Sequence, residues 1–464
     1  MQPKMYSGAL TDQNIRGIFE GAGDFNIRML QCDGHTLYAY AIDGLTSGGD
    51  ISEYVFKPIM EQLSGRSMQK LYDRALGSVV VNSVAVPCKD VDDVALMLVN
   101  CFCVVLFPEV GAIAFEVKTG EKRGIAPPDV EHTAKGAKDA FVETVRSNTS
   151  LVRRHLRTPA LRFYETKVGR HSLTNVSVAW IEGVTDPKLV ARMKRRLDSM
   201  EMDGLISPAA VQEAVTGSRA TAFPLLQYTE RTDSFCQGLL EGRVGLLVDG
   251  LPLGYLAPVD VGYLMSSVED YGRDYVSATA VRVLRYMALL ISLLLPAIFV
   301  ALTEHHPGLL TDALAEVIRE SKGDIPFSTI WEVLGLLVAF ELLQESGVHL
   351  PQSIGQSVSI IGGIVVGTAG AEAGLISSIT LIMVSVAGVC GFVLPNRDCA
   401  TAVRVWRFVL TVLSAILGIP GIGIGLGILT VRLACLKSLG VCYLRCNEPG
   451  VVRKRVRGRR NFQR

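Results

Sequence analysis

The stretch VRVLRYMALLISLLLPAIFVAL, residues 281–302, decides the fold class of this chain. From Tyr286 to Leu302 it carries no charged residue, and this is about the length of helix that crosses a hydrocarbon core of roughly 30 Å. Residues 1–280 contain only short apolar runs. The stretch therefore predicts a membrane-spanning helix and marks the start of a membrane domain.

A second apolar segment, residues 333–340, lies between acidic residues. Glu332 precedes it, and Glu341 and Glu345 follow it. A charged side chain inside the bilayer is costly unless it faces water or a partner. The segment is therefore predicted to be either a span with one polar face or a re-entrant helix.

Further apolar segments continue to residue 445. Residues 354–371 and 373–394 predict two spans joined by a turn at residues 371–374. Residues 408–431 are uncharged and combine Pro420 with five glycines, which predicts one kinked span or two shorter ones. Residues 281–445 are interpreted as an α-helical polytopic membrane domain with four to six spans.

The two ends of the chain are both expected in the cytosol. Residues 1–30 lack the basic region and apolar core of a cleavable signal peptide. The tail, residues 446–464, is basic and is predicted to stay inside, since it carries seven basic residues and no acidic one from Val451 onward. Two cytosolic ends require an even number of spans, so four or six are favoured over five.

The composition agrees with a membrane domain attached to a soluble region. The 464 residues are 49% hydrophobic with a mean hydropathy of +0.33, yet 20% are charged. The formal net charge of +1 indicates no polyanionic partner, and acidic residues balance the basic clusters. Nucleic-acid binding is therefore not expected.

The soluble region is predicted to be an α/β cytosolic region of two lobes. The first lobe, residues 1–130, has four predicted strands, His35–Ile42, Ser78–Val86, Ala95–Phe107 and Gly111–Val117, the last two joined by a hairpin at residues 108–110. One helix is predicted, at Ile51–Leu63. The second lobe, residues 131–280, has a predicted helix or helix pair at Ala134–His155 and predicted helices at Pro187–Met200 and Pro208–Val215. Its predicted strands are Asn175–Ile181 and Arg243–Val248.

Acidic residues within the apolar sequence are the candidates for an ion path. Glu372 lies between two apolar stretches, where it either lines a pore or sits in a wet turn between spans. Glu341 and Glu345 are four residues apart and share one helical face. They either line an aqueous vestibule together with Glu332 or belong to an interfacial amphipathic helix.

Glycines in the last apolar segment are candidates for helix packing or gating. The run GIGIG at residues 421–425 lies inside membrane sequence with no preceding soluble strand, which excludes a dinucleotide site. Such glycines permit close packing or a flexible break in a span. The candidate positions are Gly367, Gly418, Pro420, Gly421 and Gly423.

Two basic clusters in the second lobe have two interpretations. Each could meet anionic lipid headgroups, or could form solvated faces and salt bridges. Their members are Arg146, Arg153, Arg154 and Arg157, and then Arg192, Lys194, Arg195 and Arg196. The seven histidines show no metal-ligand spacing, and no local sequence suggests a catalytic nucleophile. We expect neither an enzyme nor a metal or cofactor site.

Several motifs together resemble the A subunits of bacterial spore germinant receptors, the GerA family. They include Phe223-Pro224, Thr229-Glu230-Arg231-Thr232-Asp233, Leu240-Glu241-Gly242-Arg243-Val244, Val248-Asp249-Gly250-Leu251-Pro252, Glu269-Asp270-Tyr271, Arg282-Val283-Leu284-Arg285, and the run from Glu341 to Pro351. The likeness covers nearly the whole chain. Its motif residues Glu230, Arg231, Asp233, Glu241, Arg243, Asp249 and Pro252 are interpreted as structural, or as forming inter-lobe or inter-subunit contacts.

The resemblance implies a subunit of a nutrient-sensing complex in the spore inner membrane, assembled with a B subunit and a lipoprotein C subunit. It also implies self-association into a ring that forms a ligand-gated cation channel. Three alternatives remain at this point: an accessory germination channel subunit of the SpoVA operon type, a secondary transporter, and a membrane scaffold that transports nothing.

Overall fold

A computed structural model describes residues 6, 8–80, 84–117, 128, 131, 136–217, 221–323, 325–348 and 367–444. The chain forms two compact units. The first unit holds the described residues of Met1–Arg219 and Leu226–Pro258, and the second holds those of Ala220–Leu225 and Val259–Cys446.

The first lobe of the first unit is built on a five-stranded antiparallel sheet with helices on both faces. The strand order is β1-β2-β4-β5-β3, with β1 Phe25–Cys32, β2 His35–Ile42, β3 Ala85–Cys88, β4 Phe102–Phe107 and β5 Gly111–Glu116. The helices are α1 Asp12–Ile18, α2 Gly48–Ile51, α3 Lys57–Gln62, α4 Met68–Arg74 and α5 Val91–Val99, with π-helical turns at Ser52–Phe56 and Ala75–Val79. Separate apolar cores lie on the two faces of this sheet.

The second lobe repeats this antiparallel plan. Its strand order is β6-β7-β9-β10-β8, with β6 Leu161–Val168, β7 Thr174–Ile181, β8 Gln227–Thr229, β9 Val244–Val248 and β10 Gly254–Ala257. Its helices are α6 Val145–His155, α7 Pro187–Asp198, α8 Pro208–Thr216 and α9 Thr232–Leu240. All five residues of β9 are buried, as expected for a strand covered on both faces. The prediction of an N-terminal α/β region is confirmed.

Several predicted elements agree with the structure. Strands β2, β5, β7 and β9, helices α7 and α8, and the hairpin at residues 108–110 lie where the sequence predicted them. The predicted helix Ile51–Leu63 is also helical, although a π-helical turn interrupts it.

The predicted strand Ala95–Phe107 is wrong in its first half. Asp90 accepts a hydrogen bond from the Asp93 amide at 2.9 Å and so caps helix α5, which runs to Val99. The chain then reverses through Cys101, whose φ is 71°, and β4 begins at Phe102. The predicted strand Ser78–Val86 is also displaced, because the chain is π-helical up to Val79 and β3 starts at Ala85; residues 81–83 lie outside the described residues.

The predicted helix Ala134–His155 begins only at Val145. The chain before it is tied to β8 and α9 instead, since the Phe141 amide donates to the Glu230 carbonyl at 2.8 Å. The Asn148 side chain also bonds both backbone groups of Val142, at 2.8 and 2.6 Å. These contacts tie residues 140–142 to the lobe outside any helix, and residues 134–135 lie outside the described residues.

The second unit consists mainly of helices. These are α10 Val261–Leu264, α11 Tyr275–Val300, α12 Asp312–Lys322, α13 Thr329–Val348, α14 Ser378–Phe392, α15 Arg397–Leu417 and α16 Ile419–Cys435. Short 3-10 helices occur at Val268–Tyr271 and Pro307–Leu309, a π-helical turn Ala301–His305 extends α11, and a small ribbon pairs β11 Lys437–Ser438 with β12 Val441–Cys442. Residues 367–372 are also helical.

Two described helices are long and apolar enough to cross a membrane, Tyr275–His305 and Arg397–Leu417. Helices α14 and α16 are apolar but shorter. The segment 408–431 was predicted as one kinked span or two short ones, and here it belongs to two helices that meet at Gly418, whose φ is 68°. The predicted span at residues 354–371 falls mostly outside the described residues.

Candidate functional site

The candidate site lies in the second unit, where helix α13 carries three carboxylates. Glu332, in the first turn, is 3% exposed, Glu341 is partly buried and Glu345 is exposed. A carboxylate that is removed from water needs hydrogen bonds or a cation beside it. The surroundings of each residue therefore show what it can do.

Glu332 belongs to a polar cluster, here called the lysine cluster, formed by Glu304, Lys322, Thr329, Glu332 and Ser377. The Ser377 amide donates to Glu332 Oε2 at 2.8 Å, and the Thr329 amide donates to Glu304 Oε1 at 2.7 Å. The Lys322 ammonium donates to Thr329 Oγ1 and lies 3.8 Å from Glu304 Oε1 and 3.9 Å from Glu332 Oε1. One cation thus faces two carboxylates.

Glu341 forms an ion pair rather than standing alone. Arg404 Nη1, on α15, donates to Glu341 Oε1 at 2.7 Å and also to the Gln344 side chain. Arg407, one turn further along α15, is 2% exposed. The charge of Glu341 is therefore largely balanced, and the pair joins α13 to α15.

Glu372 is exposed and is the last residue of the helical stretch 367–372. The chain then turns at Gly374, whose φ is 64°, before Ser377 caps α14. The structure therefore places Glu372 at a helix end beside a turn, and Glu372 is a member neither of the lysine cluster nor of the Glu341–Arg404 pair.

The glycine candidates divide by the face of the helix that they occupy. A Cβ on Gly421 would lie 2.1 Å from the Leu413 carbonyl oxygen, and one on Gly425 would lie 2.4 Å from Leu410 Cδ2. Gly423, in contrast, has nothing within 4 Å. Gly421 and Gly425 thus allow α16 to approach α15 closely, as small residues do between membrane helices.

Of the remaining candidates, Gly418 and Pro420 lie at the junction of α15 and α16, and Gly367 packs against Leu381. Gly418 has a left-handed backbone, and a Cβ there would lie 2.8 Å from His306 Nε2. Pro420 is exposed in the first turn of α16, a position that tolerates its missing N–H. Gly367 is buried, and a Cβ on it would lie 3.1 Å from Leu381 Cδ1.

The motif residues of the second lobe mostly bond within that lobe. Arg231, 2% exposed, donates to Asp233 Oδ2 at 2.6 Å and to the carbonyls of Glu131 and Ala137. Arg243 lies 3.8 Å from Glu241 and donates to the Pro258 carbonyl. These contacts brace the chain around β8 and β9.

Three further motif residues of the second lobe are Glu230, Asp249 and Pro252. The Glu230 carbonyl accepts the bond from Phe141 described above, and Asp249 Oδ1 accepts a hydrogen bond from the Val145 amide at 2.8 Å. The second contact fixes the start of α6. Pro252 is exposed between β9 and β10.

The motif segments around the start of α11 contact each other. Arg285, 6% exposed, donates to Asp270 Oδ2 at 2.7 Å, and Arg282 lies 3.4 Å from the same oxygen. Burial alone raises the pKa of Asp270, but the hydrogen bonds from Arg285 and from the Ser267 amide outweigh it and lower that pKa below its ordinary value. The carboxylate therefore stays charged and anchors the base of α11.

An ion pair that the sequence did not reveal joins the two lobes. Arg153 Nη2 donates to Asp24 Oδ1 at 2.8 Å, and the two side chains are 2% and 1% exposed. Arg146 contributes a second link, because it lies 3.2 Å from Asp43 and 2.7 Å from Glu165. Arg153 is buried in this contact, so it does not present its charge to lipid headgroups.

Asp139, His155 and Thr232 form a polar group at the edge of the second lobe. His155 Nε2 lies 2.6 Å from Asp139 Oδ2 and 3.1 Å from Thr232 Oγ1. The hydrogen bond to Asp139 raises the pKa of His155. Burial raises the pKa of Asp139, but the bonds from His155 and Thr232 prevail and lower it to about 2. One ring nitrogen serves both partners, unlike the relay through two nitrogens in hydrolase triads.

Among the described residues, no group of three or more His, Cys, Asp or Glu side chains is arranged to hold a metal ion. The described residues define a chain that joins two α/β lobes to a unit of apolar helices with an internal polar cluster. The chain belongs to the Bacillus/Clostridium GerA spore germination protein family, whose sequence model matches residues 13–457. The resemblance seen in the motifs is thereby confirmed.

Three relatives from Bacillus subtilis strain 168 are similar to this chain over most of their length. The uncharacterized membrane protein YfkQ is 34% identical over 93% of this chain and 84% of that protein. Spore germination protein KA is 30% identical over 89% and 73%, and spore germination protein A1 is 34% identical over 72% and 70%. The crystal structure of the N-terminal domain of the A subunit of the Bacillus megaterium spore germinant receptor GerK3 matches with 22% identity and a TM-score of 0.42, over 55% of this chain and 96% of that one.

Proposed function

We propose that this chain is the A subunit of a nutrient-sensing spore germinant receptor. The observation that carries the proposal is the family match over residues 13–457, which includes both lobes and the helical unit. Relatives named as spore germination proteins, which are 30% and 34% identical to the chain over the aligned residues, support it. We propose B and C subunits as its partners within the receptor.

The proposed activity is that of a ligand-gated cation channel formed by several copies of the chain in the spore inner membrane. Two helices of spanning length support a multi-pass arrangement, and α14 and α16 are the candidates for further spans. Both termini are proposed to lie in the cytosol. Buried carboxylates among apolar helices support an ion path, because such groups are retained where they serve ions or water.

The proposed ion path has Glu372 and the lysine cluster as its first candidates. Glu372 is exposed, whereas Glu341 is bound to Arg404. Glu341 and Glu345 would then influence the path through the position of α13, which carries both, rather than bind the ion first. Ion release that is unchanged by Glu372→Gln, at a normal level of protein, would remove Glu372 from the path.

A non-catalytic role is part of the proposal. Thr232 is fully buried and its hydroxyl donates to Asp139, so this hydroxyl is not open to a substrate. Without a chemical step, nutrient binding would act by changing the relative populations of open and closed channels.

The deciding experiment is nutrient-triggered potassium release from spores with and without this gene, across a panel of amino acids, sugars and nucleosides. Loss of the response to only some nutrients would support a receptor subunit and identify its ligand class. Slower release with every nutrient would instead support an accessory channel of the SpoVA operon type. Unchanged release with every nutrient would contradict both.

A secondary transporter is distinguished by a second measurement. A transporter accumulates its substrate against a gradient, whereas a channel only dissipates one. Accumulation of a labelled nutrient, above its outside concentration, in vesicles that contain the purified chain would therefore contradict the proposed channel.

A further inference from the structure

The lysine cluster has the composition of a cation site whose cation is supplied by the chain. Three oxygen atoms face Lys322 Nζ: Glu304 Oε1, Glu332 Oε1 and Thr329 Oγ1. Carboxylate and hydroxyl oxygens are the ligands of hard cations. An alkyl ammonium carries one positive charge in a compact head, so it is a chemical substitute for a monovalent ion.

The ammonium forms a hydrogen bond with one of the three oxygen atoms and longer ion-pair contacts with the other two. An ammonium has three N–H donors, and here it makes its hydrogen bond to Thr329, while both carboxylates lie at 3.8 and 3.9 Å, beyond hydrogen-bond length. Glu332 has no exposed side-chain surface, and its Oε1 has no hydrogen-bond partner among the described residues. A buried carboxylate oxygen thus faces a cation at ion-pair distance but receives no hydrogen bond from it.

Helix α12, which carries Lys322, buries little of its surface. Lys322 is the last residue of α12, and this helix, described over its whole length Asp312–Lys322, contains no buried residue. Glu332 and Thr329, in contrast, are 3% and 1% exposed. Two of the three oxygen ligands are therefore held in the buried part of the unit, and the third, Glu304, is exposed but accepts a hydrogen bond from the Thr329 amide. Lys322, on a helix without a buried residue, is the member of the cluster that can move with the least loss of packing.

We propose that Glu304, Thr329 and Glu332 form a binding site for a monovalent cation of potassium size, and that the Lys322 ammonium occupies it as a tethered substitute. Withdrawal of Lys322 with α12 opens the site, and a free cation then replaces the ammonium. In this way the cluster links a movement of α12 to ion entry. The inference deepens the proposed channel function and rests on it, although cation binding is measurable without germination.

The first test is thermal unfolding of the purified chain in detergent, in potassium chloride and in N-methylglucamine chloride of equal ionic strength. For Lys322→Met we expect potassium to raise the melting temperature by roughly 2 °C or more, because ligand binding stabilises the folded chain. Wild type should respond less. The double variant Lys322→Met with Glu332→Gln should lose the response, and Arg319→Gln, an exposed position on α12, should behave as wild type.

A second test uses the wild-type chain and does not depend on the folding of a variant. Potassium should displace Lys322 and so increase its rate of acetylation, measured by mass spectrometry, relative to N-methylglucamine. The exposed Lys188 of α7 serves as the control and should react equally in both salts.

The outcomes separate this inference from the proposed function. The cation site would be overturned by equal melting temperatures of Lys322→Met in both salts, or by an acetylation rate of Lys322 that is the same in both salts. Neither result would change the outcome of the spore experiment. Stabilisation of Lys322→Met by calcium but not by potassium would overturn the monovalent assignment.

Discussion

At the scale of single residues, a buried ion pair supports the fold of this chain only when both of its charges are present. Asp24 and Arg153 are almost fully removed from water, and their pairing compensates for the lost hydration. When only one member of such a pair is neutralised, the other remains buried without a counter-charge, which is far more costly than losing a surface contact.

We predict that Asp24→Asn destabilises the folded chain by about 3–5 kcal/mol. The measurement is urea unfolding of the purified chain, followed by circular dichroism. Glu201→Gln is a matched control, because its pair with Arg170 is also an ion pair of the first unit but is 81% and 64% exposed. The control should change the free energy of unfolding by less than about 0.5 kcal/mol. Equal effects of the two substitutions would contradict the structural account.

The His155–Asp139 pair predicts a dependence on pH. The folded-state pKa of His155 is raised, so its stabilising contribution is complete below the ordinary value of about 6.5 and disappears as pH rises through the raised value. The folded-state pKa of Asp139 is lowered to about 2, so its contribution is present above the ordinary carboxyl pKa and disappears as pH falls toward 2.

We therefore expect His155→Gln to lower the melting temperature more at about pH 6 than at about pH 9. Wild type and variant are compared by thermal unfolding at both values. His171→Gln is the control, since His171 is 84% exposed and lies 4.0 Å from Asp203, and its effect should be small throughout. A penalty for His155→Gln that is the same at both pH values would show that the pair is not charged as described.

The sequence alone located the charged residues of α6 and α13 but could not identify their interaction partners. It grouped Arg153 with Arg154 in one basic cluster, yet Arg153 is buried and Arg154 is exposed, because adjacent residues of a helix point in different directions. The partner of Arg153 is 129 positions away, and no local pattern connects the two. The carboxylates of α13 were found because charge is conspicuous within apolar sequence.

At the scale of elements, the junction of α15 and α16 depends on glycines at defined positions. Gly421 meets the backbone of Leu413, which cannot move aside as a flexible side chain would. Gly423, two residues later, faces open space. The two glycines therefore have the same helix and sequence context but opposite packing.

We predict that Gly421→Ala destabilises the chain by about 1–3 kcal/mol through overpacking. Gly423→Ala should be neutral or slightly stabilising, because alanine favours helix by up to about 1 kcal/mol when nothing opposes it. Thermal unfolding in detergent compares the two. A destabilisation at Gly423 as large as at Gly421 would argue against the close approach of α16 to α15.

Element boundaries were predicted well where the pattern was distinct. Alternation and a turn pair defined β2, and a proline near the first turn with an amphipathic pattern defined α7. The run from Ala95 to Phe107 was misjudged because a run that is apolar except for Asn100 suits a buried helix and a buried strand equally. The cap at Asp90 and the reversal at Cys101 decide between them, and both depend on local backbone geometry.

At the scale of the whole molecule, the change from mixed to apolar composition near residue 281 was sufficient to predict a soluble region and a helical region. The order of strands was not predictable, because pairing joins strands that are distant in the sequence, such as β7 with β9. The number of spans also depends on residues 349–366, which lie outside the described residues.

The proposed topology makes one further prediction. If both termini are cytosolic, epitope tags at the two ends should both be digested by protease added to inside-out membrane vesicles. Both should be protected in vesicles of the opposite orientation. Protection of one tag alone would require an odd number of spans and would overturn the proposed topology, while a tagged cytosolic protein sealed inside right-side-out vesicles controls for leakage.

The buried bond between Asp24 and Arg153 also limits how this chain can be recombined with its relatives. A chimera that takes its first sheet from one family member and its second from another inherits half of the pair from each parent. Such hybrids should be viable only when both parents supply compatible charges at these two positions, so the two lobes are inherited as one module even though each has its own sheet and core.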